Sequence, residues 1–142
     1  NKLDDYLADL IQRYRRKRDI MLESLLEYFP EETSWTKPDG GFFIWVKLPS
    51  YLDTTEMLAE AIAQKVAYVP GRAFFADGSG ANFMRLCFSY PKETEIKEGI
   101  KRLAEVISDQ MALYHSLTKH FKLNAVSSRQ QQDQKAKKET KK

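Results

Sequence analysis

At 142 residues the chain has room for one domain with one ordinary core, and 42% hydrophobic with 12% aromatic content fits a folded protein. The net charge of +3 sits in the tail: residues 118–142 hold eight Lys or Arg against two acidic residues, a balance of +6, which leaves residues 1–117 at −3. A mildly acidic body excludes an electrostatic case for binding a nucleic-acid backbone. Cys87 is the single cysteine, which excludes an intramolecular disulfide and a multi-cysteine metal site and fits a reducing, cytoplasmic interior. No apolar run is long enough for a membrane span and the N-terminus lacks a signal-peptide pattern, so neither membrane nor nucleic acid is an expected partner. Because the chain starts without methionine inside a helical pattern, it is expected to be a fragment or a processed piece.

Leu3, Leu7, Leu10, Ile11, Tyr14, Met21, Leu22, Leu25, Leu26 and Phe29 recur at three- and four-residue spacing and predict one long amphipathic helix ending before Pro30. The run Arg13, Arg15, Arg16, Lys17, Arg18 on its other face reads as a solvated surface. A short extended piece, SWTKP, and the turn DGG lead to FFIWVKLP, a nearly continuous apolar run expected to be a buried strand. Residues 54–65 open with threonines and a glutamate and carry Met57, Leu58, Ala61 and Ile62 on one stripe, which predicts a capped helix. VAYVPG follows as a short strand closed by a Pro-Gly turn, then the loop ADGSGAN, the strand in NFMRLCFSYP, and a last helix over 92–113. The order α-β-β-α-β-β-α is that of an α+β fold, a small sheet covered by helices, over residues 1–117. Residues 118–142, with little to bury, are expected to form a basic, polar, disordered tail.

One polar anomaly stands out. Alternation places Phe83, Arg85 and Cys87 on one face of their strand and Met84, Leu86 and Phe88 on the other, so a guanidinium is expected to look inward or into a cleft. Its charge is permanent and burying it unpaired costs several kcal/mol or more, so a protein carboxylate or an anionic ligand should meet it. No catalytic set accompanies it. His115 and His120 fall in or beside the tail without metal-ligand company, Cys87 and Ser89 have no base nearby in sequence, and DGG and DGSG are turn chemistry rather than a phosphate loop.

The segments YRRKRDIMLESLLEYFP, SWTKPDGGFFIWVKLP, VAYVPGRAFF and NFMRLCFSYP, in that order and followed by an amphipathic helix, resemble the C-terminal small domain of class I/II aminotransferases. These are the fold-type-I enzymes that use pyridoxal 5'-phosphate, and the likeness is nearest to 2-aminoadipate and multi-substrate members. It covers about residues 8–113. The resemblance implies that Arg85 binds the α-carboxylate of an amino-acid or 2-oxo-acid substrate and that Gly41 and Phe43 belong to the substrate pocket. It also implies that Pro70, Gly71 and Phe74 form a loop beside the active site, while Arg72 stands where the family usually has a smaller or neutral residue and has no assigned role. The family's Schiff-base lysine, cofactor aspartate and phosphate donors belong to an N-terminal large domain that this sequence lacks, so no catalytic residue is expected in the chain and the isolated piece is expected to be inactive. SLTK, residues 116–119, imitates the lysine motif in the wrong place. The expected whole is a homodimeric aminotransferase moving an amino group from an amino acid to a 2-oxo acid. The alternative is the ligand-sensing aminotransferase-like domain of a winged-helix transcription regulator.

Overall fold

The computed structural model describes residues 2–139, with side chains described to residue 122. The chain divides into two compact units, Asn1–Asp109 and Gln110–Lys142. The first holds helix α1 (Lys2–Tyr28), strands β1 (Ser34–Trp35) and β2 (Phe43–Lys47), helix α2 (Thr54–Ala63), strand β3 (Val69–Pro70), a 3-10 turn at Gly71–Phe74, strand β4 (Phe83–Cys87) and the start of helix α3 (Glu93–Glu139). The sheet is antiparallel throughout, in the order β1-β2-β4-β3. The expected α+β order is therefore the observed one, with the 3-10 turn added.

The two central strands set the architecture. Ile44, Val46, Met84 and Leu86 alternate onto one face and are buried, where Leu86 shares a cavity wall with Met21 of α1 and Ile96, Ile100 and Leu103 of α3. Phe43, Trp45, Lys47, Phe83, Arg85 and Cys87 occupy the other face and are half-buried or exposed. β2 is thus a half-buried alternating strand, which corrects the expectation of a fully buried one. The apolar run concealed this because aromatic residues populate the outer face as well as the inner.

Local chemistry fixes the element ends. Asp53 caps α2 by accepting from the Thr55 backbone N–H at 2.8 Å. Thr54 is fully buried and ties the helix to β4: its hydroxyl donates to the Phe83 carbonyl at 2.7 Å, and its own carbonyl accepts from the Tyr68 hydroxyl at 2.6 Å. Burial, with the Asp53 charge adding, pushes the Tyr68 phenol well up, so it stays a donor. The α3 start is held by the Glu95 carboxylate, which accepts from the Lys92 backbone N–H at 2.7 Å.

Two helical expectations change. In α1 only Met21, Ser24 and Leu25 are buried, while Leu3, Leu7, Ile11 and Leu26 are exposed. The basic run is also less solvated than expected: Lys17 donates to the Ser89 carbonyl at 2.9 Å, and Arg18 to the Pro38 and Asp39 carbonyls at 3.1 and 3.3 Å. α3 continues to Glu139 rather than ending near 113; it meets no glycine after Gly99 and no proline after Pro91, and Lys, Gln, Glu and Ala favour the helix. The tail expected to be disordered, residues 118–142, is instead helical through Glu139, and residues 140–142 lie outside the described residues. No helix among the described residues is long and apolar enough to cross a membrane.

Candidate substrate-carboxylate site

Arg85 sits at the centre of the outer face because β4 lies between β2 and β3, opposite Trp45 on one side and Val69 on the other. Its guanidinium carbon lies 4.1 Å from the Phe43 ring centre and 4.7 Å from that of Phe74. Phe74 in turn meets Trp45 edge-on at 4.9 Å between ring centres. The charge is therefore clamped between two rings, an attraction worth about 0.5–2 kcal/mol per good pair. Its Nε is fully buried and has no hydrogen-bond partner. Among the described residues no carboxylate pairs with Arg85. A buried donor left unmet costs on the order of 1–3 kcal/mol, more when charged. The planar fork of guanidinium donors has the geometry that suits a carboxylate.

The neighbouring segments explain themselves structurally. Asn82 donates from its side chain to the Leu48 carbonyl at 2.6 Å, while the Leu48 N–H donates to the Asn82 carbonyl at 2.8 Å, which locks the entry of β4 against the end of β2. A Cβ on Gly71 would meet the Gly80 carbonyl oxygen and the Phe83 Cβ at 2.5 Å, so only glycine lets the 3-10 turn press against β4. Gly41 has φ +78° and open space around it. It lines a groove of about 270 Å³ with Leu10 and Tyr14 of α1 and with Phe42.

The structure thus brings Arg85, Phe43 and Phe74 together and sets Gly41 in the turn that delivers Phe43. Trp45 was not singled out in the sequence, although its alternation with Phe43 marks it. Arg72 acquires a place: its Nη2 and Nε lie 2.6 and 3.3 Å from Asp53 Oδ2, and its Nη1 donates to the Gly78 carbonyl at 3.4 Å. Burial pulls the Asp53 carboxyl up, but the hydrogen bonds from Arg72 and Thr55, with the Arg72 charge, outweigh it and hold the group below the ordinary aspartate range. That pairing joins distant segments and was not legible from spacing.

The remaining candidates gather into nothing comparable. Cys87 Sγ and Ser89 Oγ lie 3.1 Å apart on the surface. His115 and His120 lie exposed on α3 in the second unit, and among the described residues no group of three His, Cys, Asp or Glu could hold a metal. The SLTK segment does not fit a pyridoxal cofactor: Lys119 is exposed on a continuous helix and the Thr118 hydroxyl is spent on the Tyr114 carbonyl at 2.8 Å.

Comparison with known proteins gives the family. Residues 1–103 match the model of "Aminotransferase class I and II". The aromatic-amino-acid aminotransferase 1 of Thermococcus litoralis is 50% identical over 109 residues, 77% of this chain and 26% of its own length. The multiple substrate aminotransferase of Thermococcus profundus superposes with a TM-score of 0.75 at 49% identity, over 78% of this chain and 28% of that one. The α-aminoadipate aminotransferase of Thermus thermophilus, solved with N-(5'-phosphopyridoxyl)-L-leucine, gives a TM-score of 0.69 at 37% identity, over 72% of this chain and 26% of that one. Helix-turn-helix-type transcriptional regulators match more distantly, at 24–29% identity. The chain spans about a quarter of the length of the relatives it matches. By the match over residues 1–103 and by these relatives, the chain belongs to the aminotransferase class I and II family.

Proposed function

We propose that Arg85 is the substrate-carboxylate clamp of a pyridoxal-phosphate-dependent aminotransferase, with Phe43 as one wall and Gly41 shaping the turn that presents it. The observation that carries the reading is the buried, unpartnered Nε of a guanidinium held between two aromatic rings. A 2-amino or 2-oxo acid supplies a carboxylate to the guanidinium fork, and the bidentate fit fixes the orientation of the reacting carbon. The exposed rings of Phe43 and Phe74 favour an apolar or aromatic substrate side chain, as in the aromatic-amino-acid aminotransferase among the relatives. The cofactor, bound as a phosphopyridoxyl adduct in the Thermus relative, is held by residues outside this chain, on a large domain. The active protein is a cytoplasmic homodimer, and residues 1–117 work as its small domain, with the basic, polar segment 118–142 following it. The closer relatives are named as enzymes and the regulators are more distant, which favours catalysis over ligand sensing.

The test uses the full-length protein. Arg85→Lys keeps the charge and loses the fork; Arg85→Ala loses both. At about 1.5–3 kcal/mol per charge-assisted bond, Arg85→Ala lowers kcat/KM for an amino acid at least about a hundredfold, with Arg85→Lys in between. An amine substrate without a carboxylate loses far less. Equal losses for both substrates, tracking a fall in melting temperature, contradict the assignment.

A further inference from the structure

Phe74 forms one wall of the guanidinium clamp, yet it stands on a four-residue 3-10 turn rather than on the sheet. Gly71 anchors the start of that turn by its close approach to Phe83 and Gly80. The rest of the turn is Arg72, Ala73 and Phe74, so Arg72 is its one polar side chain. That side chain forks onto Asp53 Oδ2 with contacts of 2.6 and 3.3 Å, and Asp53 is itself fixed as the N-cap of α2. Its third contact, to the Gly78 carbonyl at 3.4 Å, ties the far side of the same loop. A continuous path of contacts thus runs from the α2 cap through Arg72 to the residue whose ring covers Arg85 and abuts Trp45.

We propose that the Asp53–Arg72 pair is a brace that holds Phe74 against the Arg85 guanidinium and thereby sets the affinity of the site for carboxylates. Arg72 and Asp53 are positioning residues, since neither touches the guanidinium. The inference rests on reading Arg85 as the carboxylate site. Two features separate it from an ornamental surface pair. The carboxylate is half-buried, with its side chain 20% exposed against 50% for Arg72, and it serves two segments at once. Losing the brace frees the turn to swing Phe74 off the guanidinium, which removes one ring contact and opens the site to water.

The experiment measures binding of phenylpropionate, a carboxylate without an amine, to the full-length protein by calorimetry. Phenylpropanol serves as the carboxylate-free control. Asp53→Asn keeps a good helix cap while removing the charge, and Arg72→Ala removes the fork. Each single change should raise the dissociation constant of phenylpropionate about threefold to tenfold, leaving that of phenylpropanol and the melting temperature nearly unchanged. The double variant should be no worse than either single, and Arg72→Lys should recover part of the loss. An unchanged constant in Arg72→Ala, while Phe74→Leu and Arg85→Lys both weaken binding, overturns the brace and leaves the carboxylate site standing. If Arg85→Lys also binds phenylpropionate normally, the site reading fails and the brace falls with it. Equal weakening of both ligands with a lowered melting temperature assigns Arg72 a merely structural role and likewise overturns the proposal.

Discussion

Arg85 was visible in the sequence as a charge between Met84 and Leu86, and alternation correctly grouped it with Phe83 and Cys87. Which face turned inward was not legible, because β2 offers Ile44 and Val46 to one side and Phe43 and Trp45 to the other, both apolar. Tertiary packing against α1 and α3 decided it. The neighbouring residues yield two tests. Gly71→Ala places a methyl where the Gly80 carbonyl oxygen and the Phe83 Cβ lie 2.5 Å away; the overpacking should lower stability by about 1–3 kcal/mol, read from denaturant unfolding. Asp53 has a folded pKa below its ordinary value. The unfolded chain therefore binds more protons at this site as pH falls, so stability rises with pH in that window. Its contribution is fully present above about pH 4 and is lost as pH drops through the folded value. Unfolding curves of Asp53→Asn should lack that part of the acid dependence; an unaltered acid limb contradicts the ion pair.

At the scale of elements, the turn and helix signals served well: Thr54 opens α2 and Pro30 follows α1 as the pattern required. Periodicity alone misjudged which turns of α1 are buried. A stripe of Leu at helical spacing says that one face seeks cover, and within this chain only its C-terminal half finds it. Leu25 is fully buried and Leu26 is 78% exposed, so adjacent alanine substitutions separate the two environments. Leu25→Ala should cost about 2–5 kcal/mol and Leu26→Ala under about 0.5 kcal/mol in chemical denaturation. The end of α3 escaped the sequence reading for a different reason. An apolar stripe marks where a helix packs, whereas Lys, Gln and Glu continue the backbone without one.

Across the molecule, the order of elements and the sequence likeness lead to the same family, and the α+β sheet was legible because each strand is bounded by its own turn residues. The Asp53–Arg72 and Arg85–Phe74 contacts were not, since they join residues 19 and 11 positions apart through the fold. Removing residues 118–142 should leave the thermal midpoint nearly unchanged, as the few apolar groups there add little burial to the core. A large drop would mean that the tail docks. The central claim, that a carboxylate completes the coordination of Arg85, is most directly tested by heteronuclear NMR of arginine Nε–H groups in the full-length protein. The resonance that disappears in Arg85→Lys should shift on adding phenylpropionate, as the guanidinium to which it belongs gains an anionic partner, and stay in place with phenylpropanol. No shift at saturating phenylpropionate, or a shift confined to other arginines, would contradict it.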